Sequence, residues 1–378
     1  MNKQKISLVD LKSEHGEIMN EIIHEITEIF QNSDFIHGKK VRELEKWLAN
    51  YTQSSYALGC ASGTEAIQIA IMSLNLPREA EIIVPAFTYF ATVEPALLLG
   101  YKVVFADIHP DYFTIDVEDV KNKLTDRTCV IIPVHLYGQC ANMEEITRIA
   151  TEKGIFVIED CAQALGASIK KQNGEVLKAG SIGTFGCFSF FPTKNLGAAG
   201  DGGAITTSNQ QLFMNAQMLA NHGQLNSKYF HKKIGLNSRL DTIQAAILLI
   251  KAKYLSRKIQ KKQEIARMYN FYLSDIEEIM TPAVAPYSSH TYHLYTIKVS
   301  KRRDELLYFL LSENIEVRIY YPVPVHKQEA ILTAGYNCEC PVAEKISREV
   351  LTLPMHPYLT EENVKYISQK IKEFFSKK

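Results

Sequence analysis

The chain has 378 residues, 46 % of them hydrophobic and 22 % charged, the balance of an ordinary folded protein long enough for two domains that share an interface. Lys plus Arg and Asp plus Glu both number 42, so net charge argues against nucleic acid or an anionic membrane as a partner. The text after Met1 has no apolar run of signal-peptide length, no run elsewhere is long enough to span a bilayer, and the seven cysteines are scattered in apolar text as in a reducing compartment, so a cytoplasmic protein is expected.

The first element expected is a helix over about Gly16 to Gln31. A short strand at Tyr56–Cys60 then leads into a helical stretch, Glu65 to Leu74, with Ile67, Ala70, Ile71 and Leu74 on one face. Apolar strands follow at Glu81–Pro85, Val103–Asp107, Val130–Val134 and Phe156–Asp160, with helices between them, Met143 to Lys153 among these. Such alternation predicts a mostly parallel sheet covered on both faces. An aromatic strand then ends at Pro192, ahead of a glycine-rich bend.

From about Arg239 to Leu273 one long helical run is expected, with Arg257, Lys258, Lys261 and Lys262 on its solvated face. A strand near Tyr292–Val299, a helix near Asp304–Ser312, a strand near Glu316–Tyr320 and helices near Val342–Val350 and Thr360–Phe375 close the chain. The change of rhythm divides the chain into a large α/β domain, residues 1–245, and a smaller α+β domain, residues 246–378. Cys338-Glu-Cys340 lacks the second ligand pair of a structural zinc site, so no metal is expected.

Three segments carry the chemistry. Ser62-Gly63-Thr64 stands at a helix N-terminus, where free amides and the positive dipole end make either a phosphate site or an ordinary capped helix. Asp160 lies at the carboxyl end of an apolar strand, the edge where open α/β sheets bind ligands, and reads equally as a ligand partner or a helix cap. Gln163 fixes either a ligand hydroxyl or a loop. Phe188-Ser189-Phe-Phe-Pro-Thr193-Lys194 delivers one lysine into the bend Asn-Leu-Gly197; desolvation there makes an amine nucleophilic towards carbonyls, and the bland alternative is a surface turn. Gly180, Gly183 and Gly186 lack the strand–turn–helix context of a dinucleotide fingerprint. A phosphate cradle, an acid for a pyridine nitrogen and a lysine for an aldehyde together describe pyridoxal phosphate.

Over nearly its whole length the sequence resembles the DegT/DnrJ/EryC/StrS sugar aminotransferases. The segments that carry the resemblance are Phe35-Ile-His-Gly38, Pro85-Ala-Phe-Thr-Tyr89, Glu159-Asp160-Cys-Ala-Gln163, Phe190-Phe-Pro-Thr-Lys194-Asn-Leu-Gly197, Gly235-Leu-Asn237-Ser-Arg-Leu-Asp241 and Leu353-Pro-Met-His-Pro357. The resemblance implies the fold type I architecture of aspartate aminotransferase, a large mixed, mostly parallel sheet domain with a smaller α+β domain. It implies Lys194 as the Schiff-base lysine, Asp160 as partner of the pyridine nitrogen, Gln163 on the ring hydroxyl and Tyr89 on the ring face. Gly63, Thr64 and Ser189 are implied to hold the phosphate, and Asn237 to reach the phosphate of a neighbouring subunit in a homodimer with shared active sites.

The implied reaction moves an amino group from glutamate to the keto carbon of a nucleotide-linked hexose. Tyr137-Gly-Gln-Cys140, His222-Gly-Gln224 and residues 237–249 look most like members that aminate C3, including those acting on UDP-linked 3-keto uronic acid sugars. Uronate members typically read His-Tyr-Pro where this chain has Tyr320-Tyr321-Pro322, which leaves room for a dTDP-linked 3-keto-6-deoxyhexose. Phe35, Thr193, Arg239, Tyr320, Tyr321 and His326 are candidate substrate contacts, and Arg239 equally anchors a helix start beside Asp241. A dehydratase on this fold typically replaces the lysine, and a regulator that has lost catalysis would show damage at the cofactor residues; neither change is present. An aminotransferase for free amino acids or a cyclitol is a further alternative; a cyclitol enzyme of this family would share the cofactor residues, and a substrate test separates the two.

Overall fold

Runs of β-branched and aromatic residues set the strands, and a computed structural model describes residues 5–224 and 228–376. In chain order they are β1 (Tyr56–Cys60), β2 (Glu81–Pro85), β3 (Lys102–Ala106), β4 (Thr128–Ile131) and β5 (Phe156–Asp160), then β6 (Ser168–Lys170), β7 (Val176–Lys178), β8 (Phe185–Ser189) and β9 (Gly203–Thr207). Seven of them form one sheet in the order β1-β9-β8-β5-β4-β2-β3, while β6 and β7 pair as a separate hairpin. All neighbours in the sheet are parallel except β9, which runs against both β1 and β8. The expected mixed, mostly parallel sheet is present.

Alternate residues of each strand enter different cores, as the two-residue period requires. Ile82, Val84, Val130 and Ile158 join one cluster, whereas Ile83, Ile131 and Val157 join the other. Both faces are therefore covered by helices. The helix Gly63–Ser73 contributes Ile67, Ala70 and Ile71 to the first cluster, as its apolar face predicts. The amphipathic helix Lys39–Thr52, absent from the expected elements, contributes Val41, Leu44 and Leu48 to the second.

A second sheet is antiparallel and three-stranded: β10 (Ile279–Met280), β11 (Tyr295–Val299) and β12 (Val350–Leu353). Its core joins Ile297, Leu351 and Leu353 to Leu306, Leu310 and Ile367 of the helices Arg303–Ser312 and Glu361–Ser376, with Ile6 from the other end of the chain.

Two expectations are corrected. The single helix expected over Arg239 to Leu273 is two helices, Thr242–Ala252 and Leu255–Leu273. No proline or glycine separates them; Lys253 and Tyr254 donate to carbonyls three residues back, a tightened turn that redirects the chain. The strand expected at Glu316–Tyr320 shrinks to one bridge, Arg318 with Thr352, after which Ile319 and Tyr320 turn towards a cavity.

Glu159 ties the sheet to the loop behind it. Wholly buried, it accepts backbone N–H groups from Gly180, Ile182 and Gly183 at 2.7–2.9 Å and lies 2.9 Å from Nε2 of His135. Glu159→Ala strands those donors and is expected to cost on the order of 3–5 kcal/mol, read as a lower urea midpoint at unchanged slope.

Candidate active site

Because β1, β2, β5 and β8 share one direction, the segments after Cys60, Pro85, Asp160 and Ser189 emerge at one sheet edge. They line a cavity of 690 Å³ whose far wall is Leu294, Tyr320 and Tyr321.

One corner of the cavity comes from the turn after β1. Ser62 caps the following helix by accepting the Glu65 N–H at 3.1 Å, so the amides of Gly63 and Thr64, which have no intrahelical acceptor, face the cavity edge. A Cβ on Gly63 would stand 2.7 Å from Cβ of Ser189, so only glycine lets β8 close the cradle. Gly63→Ala is expected to overpack this corner by about 1–3 kcal/mol and to weaken retention of pyridoxal phosphate about tenfold, read by equilibrium dialysis.

Asp160 ends β5 nine-tenths buried. Its Oδ2 accepts the Thr92 hydroxyl at 2.7 Å and its Oδ1 the Ala162 amide at 3.0 Å, which together fix the carboxylate plane. Thr92, supported by the Thr88 hydroxyl at 2.8 Å, escaped the sequence reading; its only signal is a hydroxyl four residues after another beyond a buried strand. Gln163 accepts the Tyr137 amide at 2.7 Å and donates to the Tyr321 hydroxyl at 2.9 Å. Tyr137 in turn donates its hydroxyl to the Tyr320 carbonyl, so the two sides of the cavity are joined. Tyr89 is 62 % exposed with its ring centroid 6.1 Å from that of Tyr321, leaving an aromatic face open to a ligand ring.

Lys194 follows a tight turn in which its amide donates to Phe191 O at 2.9 Å. Gly197 allows that turn, since a Cβ there would lie 2.2 Å from the Pro192 carbonyl oxygen. Burial depresses the Lys194 amine below its ordinary range, and the negative charge of Asp160 opposes the shift. A less basic amine is the form that attacks a carbonyl.

Ten of the residues singled out in the sequence line this cavity: Gly63, Thr64, Tyr89, Asp160, Gln163, Ser189, Thr193, Lys194, Tyr320 and Tyr321. Four do not. His326 is wholly buried beside Phe105 with Nε2 3.1 Å from Glu344, so the structure removes it from the substrate contacts of this cavity. Phe35, Asn237 and Arg239 gather on a different surface, joined by the Ile36–Asp241 bridge and by the Thr242 amide donating to Phe35 O at 3.0 Å. The basic run also divides. Arg257 and Lys261 are exposed as expected, but Lys258 and Lys262 are buried and line the cavity, which corrects the solvated-face reading for that pair.

An amide cradle, a fixed carboxylate, an open aromatic face and a desolvated lysine around one cavity match the groups of pyridoxal phosphate, and the fold and site define a fold type I pyridoxal-phosphate enzyme. Residues 16–372 match the DegT/DnrJ/EryC1/StrS aminotransferase family, and the chain belongs to it. A pleiotropic regulatory protein of Geobacillus stearothermophilus is 41 % identical over 98 % of both chains. The UDP-2-acetamido-2-deoxy-3-oxo-D-glucuronate aminotransferase of Pseudomonas aeruginosa is 39 % identical over 96 % of this chain and 98 % of its own. A UDP-N-acetyl-3-dehydro-alpha-D-glucosamine 3-aminotransferase of Acidithiobacillus ferrooxidans is 39 % identical over 97 % of both. Among solved structures, S. venezuelae DesV superposes with a TM-score of 0.92 at 34 % identity over 98 % of both chains. The ntda protein of Bacillus subtilis, solved with bound cofactor PMP, superposes with a TM-score of 0.86 at 28 % identity over 97 % of this chain and 86 % of that one. No helix among the described residues is long and apolar enough to cross a membrane.

Proposed function

We propose that this enzyme transfers an amino group from glutamate to C3 of a UDP-linked 3-keto-2-acetamido hexose or its uronate, in the cytoplasm and as a homodimer. The observation that carries the reading is the desolvated Lys194 amine in a cavity it shares with the fixed carboxylate of Asp160. The activities named for the two 39 % identical aminotransferases support the sugar class and the C3 position.

When bound, pyridoxal phosphate supplies the aldehyde that takes up the amino group and the protonated ring that accepts carbanion electrons. Lys194 would hold that aldehyde, then carry a proton between the cofactor's C4′ and the substrate carbon. Asp160 would face the ring nitrogen, Gln163 the ring hydroxyl, Tyr89 the ring face, and Gly63, Thr64 and Ser189 the phosphate. Thr193, Tyr320 and Tyr321 would border the sugar. Phe35, Asn237 and Arg239 would serve the partner's cavity, and the exposed Tyr229, Phe230 and Ile234 of the segment just before Asn237 are apolar side chains suited to a subunit contact.

A non-catalytic regulator is the second reading, prompted by the name of the Geobacillus relative. It gives no use to a desolvated lysine amine beside a buried acid, so the enzyme reading is preferred. The purified protein with pyridoxal phosphate is expected to show a visible Schiff-base band that glutamate bleaches and a UDP-linked 3-keto sugar restores. Restoration only by a dTDP-linked 3-keto-6-deoxyhexose would move the substrate to that class. A folded protein without the band would sink the cofactor assignment.

A further inference from the structure

The cavity does not stop at Lys194. Beyond it the lining includes Asn195, Lys262, His293 and His356, side chains of four separate segments. Lys262 is nine-tenths buried; its ammonium donates to Asn195 Oδ1 at 3.0 Å and makes no ion pair among the described residues. The carboxylates nearby are already engaged. Glu14 accepts Lys258 at 2.6 Å and lies 3.5 Å from Lys251, and Asp10 accepts the amide and hydroxyl of Ser13. A buried cation without a counter-ion is costly, and one that faces a cavity invites an anion into it.

Two further groups point the same way. His293 and His356 are 8 % and 7 % exposed, and the Nδ1 atom of each is buried without a hydrogen-bond partner. Buried polar atoms are almost always bonded, so orphaned atoms in a cavity wall mark the place of a missing ligand group. Burial is the first cause that holds all three low: His293 well below its ordinary range, His356 at about 4 and Lys262 at about 8. His293 feels the charges of both Lys194 and Lys262, so this end of the cavity begins at the reactive amine.

We infer that Lys262, His293 and His356 form the subsite for the side-chain carboxylate of the amino donor, a dicarboxylic amino acid. The inference rests on the donor reading given above. The enclosed end, walled by nine-tenths-buried side chains, suits a small acid, whereas a nucleotide-linked sugar needs the open side at the exposed Tyr89. A neutral keto group has no need of an unpaired ammonium near the reacting carbon. A dicarboxylate supplies the direct ion pair that Lys262 lacks among the described residues, beside the charge of Glu14, and an acceptor for the His293 N–H.

The test uses the holoenzyme with no nucleotide sugar present. Calorimetric titration is expected to show glutarate binding about 10- to 100-fold more tightly than pentanoate, which lacks the second carboxylate. Lys262→Met should erase that preference, and Lys262→Arg should restore much of it. The glutamate concentration that half-bleaches the visible band should rise by the same factor in Lys262→Met. Equal affinity for glutarate and pentanoate in the wild type overturns the subsite without recourse to any variant. A preference that survives in folded Lys262→Met overturns the role of Lys262, as does a defect confined to the nucleotide-sugar half-reaction. A wild-type band that glutamate leaves unchanged, with the glutarate preference intact, overturns the donor reading alone.

Discussion

Lys194→Ala is expected to lose turnover by at least about 10⁴-fold and to lose the visible band of the lysine-bound cofactor, with the fold retained. The magnitude follows from two roles in one atom. In the proposed function the amine would be the covalent attachment point and, once released, the base that moves the proton; among the described residues of the cavity no other lysine amine adjoins Asp160. His293 also feels the charge of Lys194, but its imidazole is held neutral by burial and by the ammonium groups of Lys194 and Lys262. The lysine is half-buried on a turn whose backbone bonds do not involve its side chain, so truncation leaves Phe191 O, Pro192 and Gly197 as they are. The measurement is a single-turnover assay together with an absorption spectrum and a thermal melt. A variant with normal turnover and an intact band would remove Lys194 from the chemistry. Loss of turnover with a collapsed melting transition would instead make the residue structural, and Lys194→Arg then separates the two cases, since it restores bulk and charge without a free amine.

Much of this site was legible because its parts lie in short stretches of sequence. Phe156–Asp160 is a strand with the bounds its apolar run suggests, and the acid at its end stands at the cavity because β5 is parallel to β4 and β8. The Ser62–Thr64 turn was legible for the same reason: a cap residue and a glycine ahead of an apolar helical face define a helix start locally. What could not be read is set by partners far apart in the chain. Lys258 and Lys262 carry the marks of a solvated helix face, and only the packing of the helices Leu11–Asn32 and Leu255–Leu273 against the cavity buries them. The 244-residue separation of Glu14 and Lys258 leaves no periodic trace. His326 misled for the opposite reason. It follows the Tyr-Tyr-Pro stretch that does reach the cavity, but the turn at Val325–Lys327 sends its ring inward against Phe105. The helix break at Lys253–Tyr254 has no glycine or proline to announce it; its first half packs on the helices Leu11–Asn32 and Lys39–Thr52 and its second on Glu361–Ser376, partners far away in the chain.

Asp160→Asn is expected to lower turnover on the order of 10²- to 10³-fold while the protein stays folded and keeps its visible band. The substitution preserves shape, so the loss isolates charge. A carboxylate across from the ring nitrogen favours the protonated ring, and only the protonated ring is a strong acceptor for carbanion electrons; a neutral amide withdraws that support without emptying the space. The surrounding bonds show why the geometry survives. The Thr92 hydroxyl and the Ala162 amide both donate to Asp160, at 2.7 and 3.0 Å, and the asparagine oxygen can accept one of them while the Thr92 hydroxyl can reverse to accept from the new amide. Asp160→Ala removes the oxygens as well, leaving the buried Thr92 hydroxyl with Thr88 alone and the Ala162 amide without a partner, so it should add about 1–3 kcal/mol of instability to the catalytic loss. Comparing the two variants separates the electrostatic role from the cap. If Asp160→Asn keeps near-normal turnover and only Asp160→Ala is impaired, the acid is a loop cap and another group must face the ring nitrogen. If both lose turnover but only Asp160→Ala loses stability, the charge acts on the chemistry and the hydrogen bonds act on the fold.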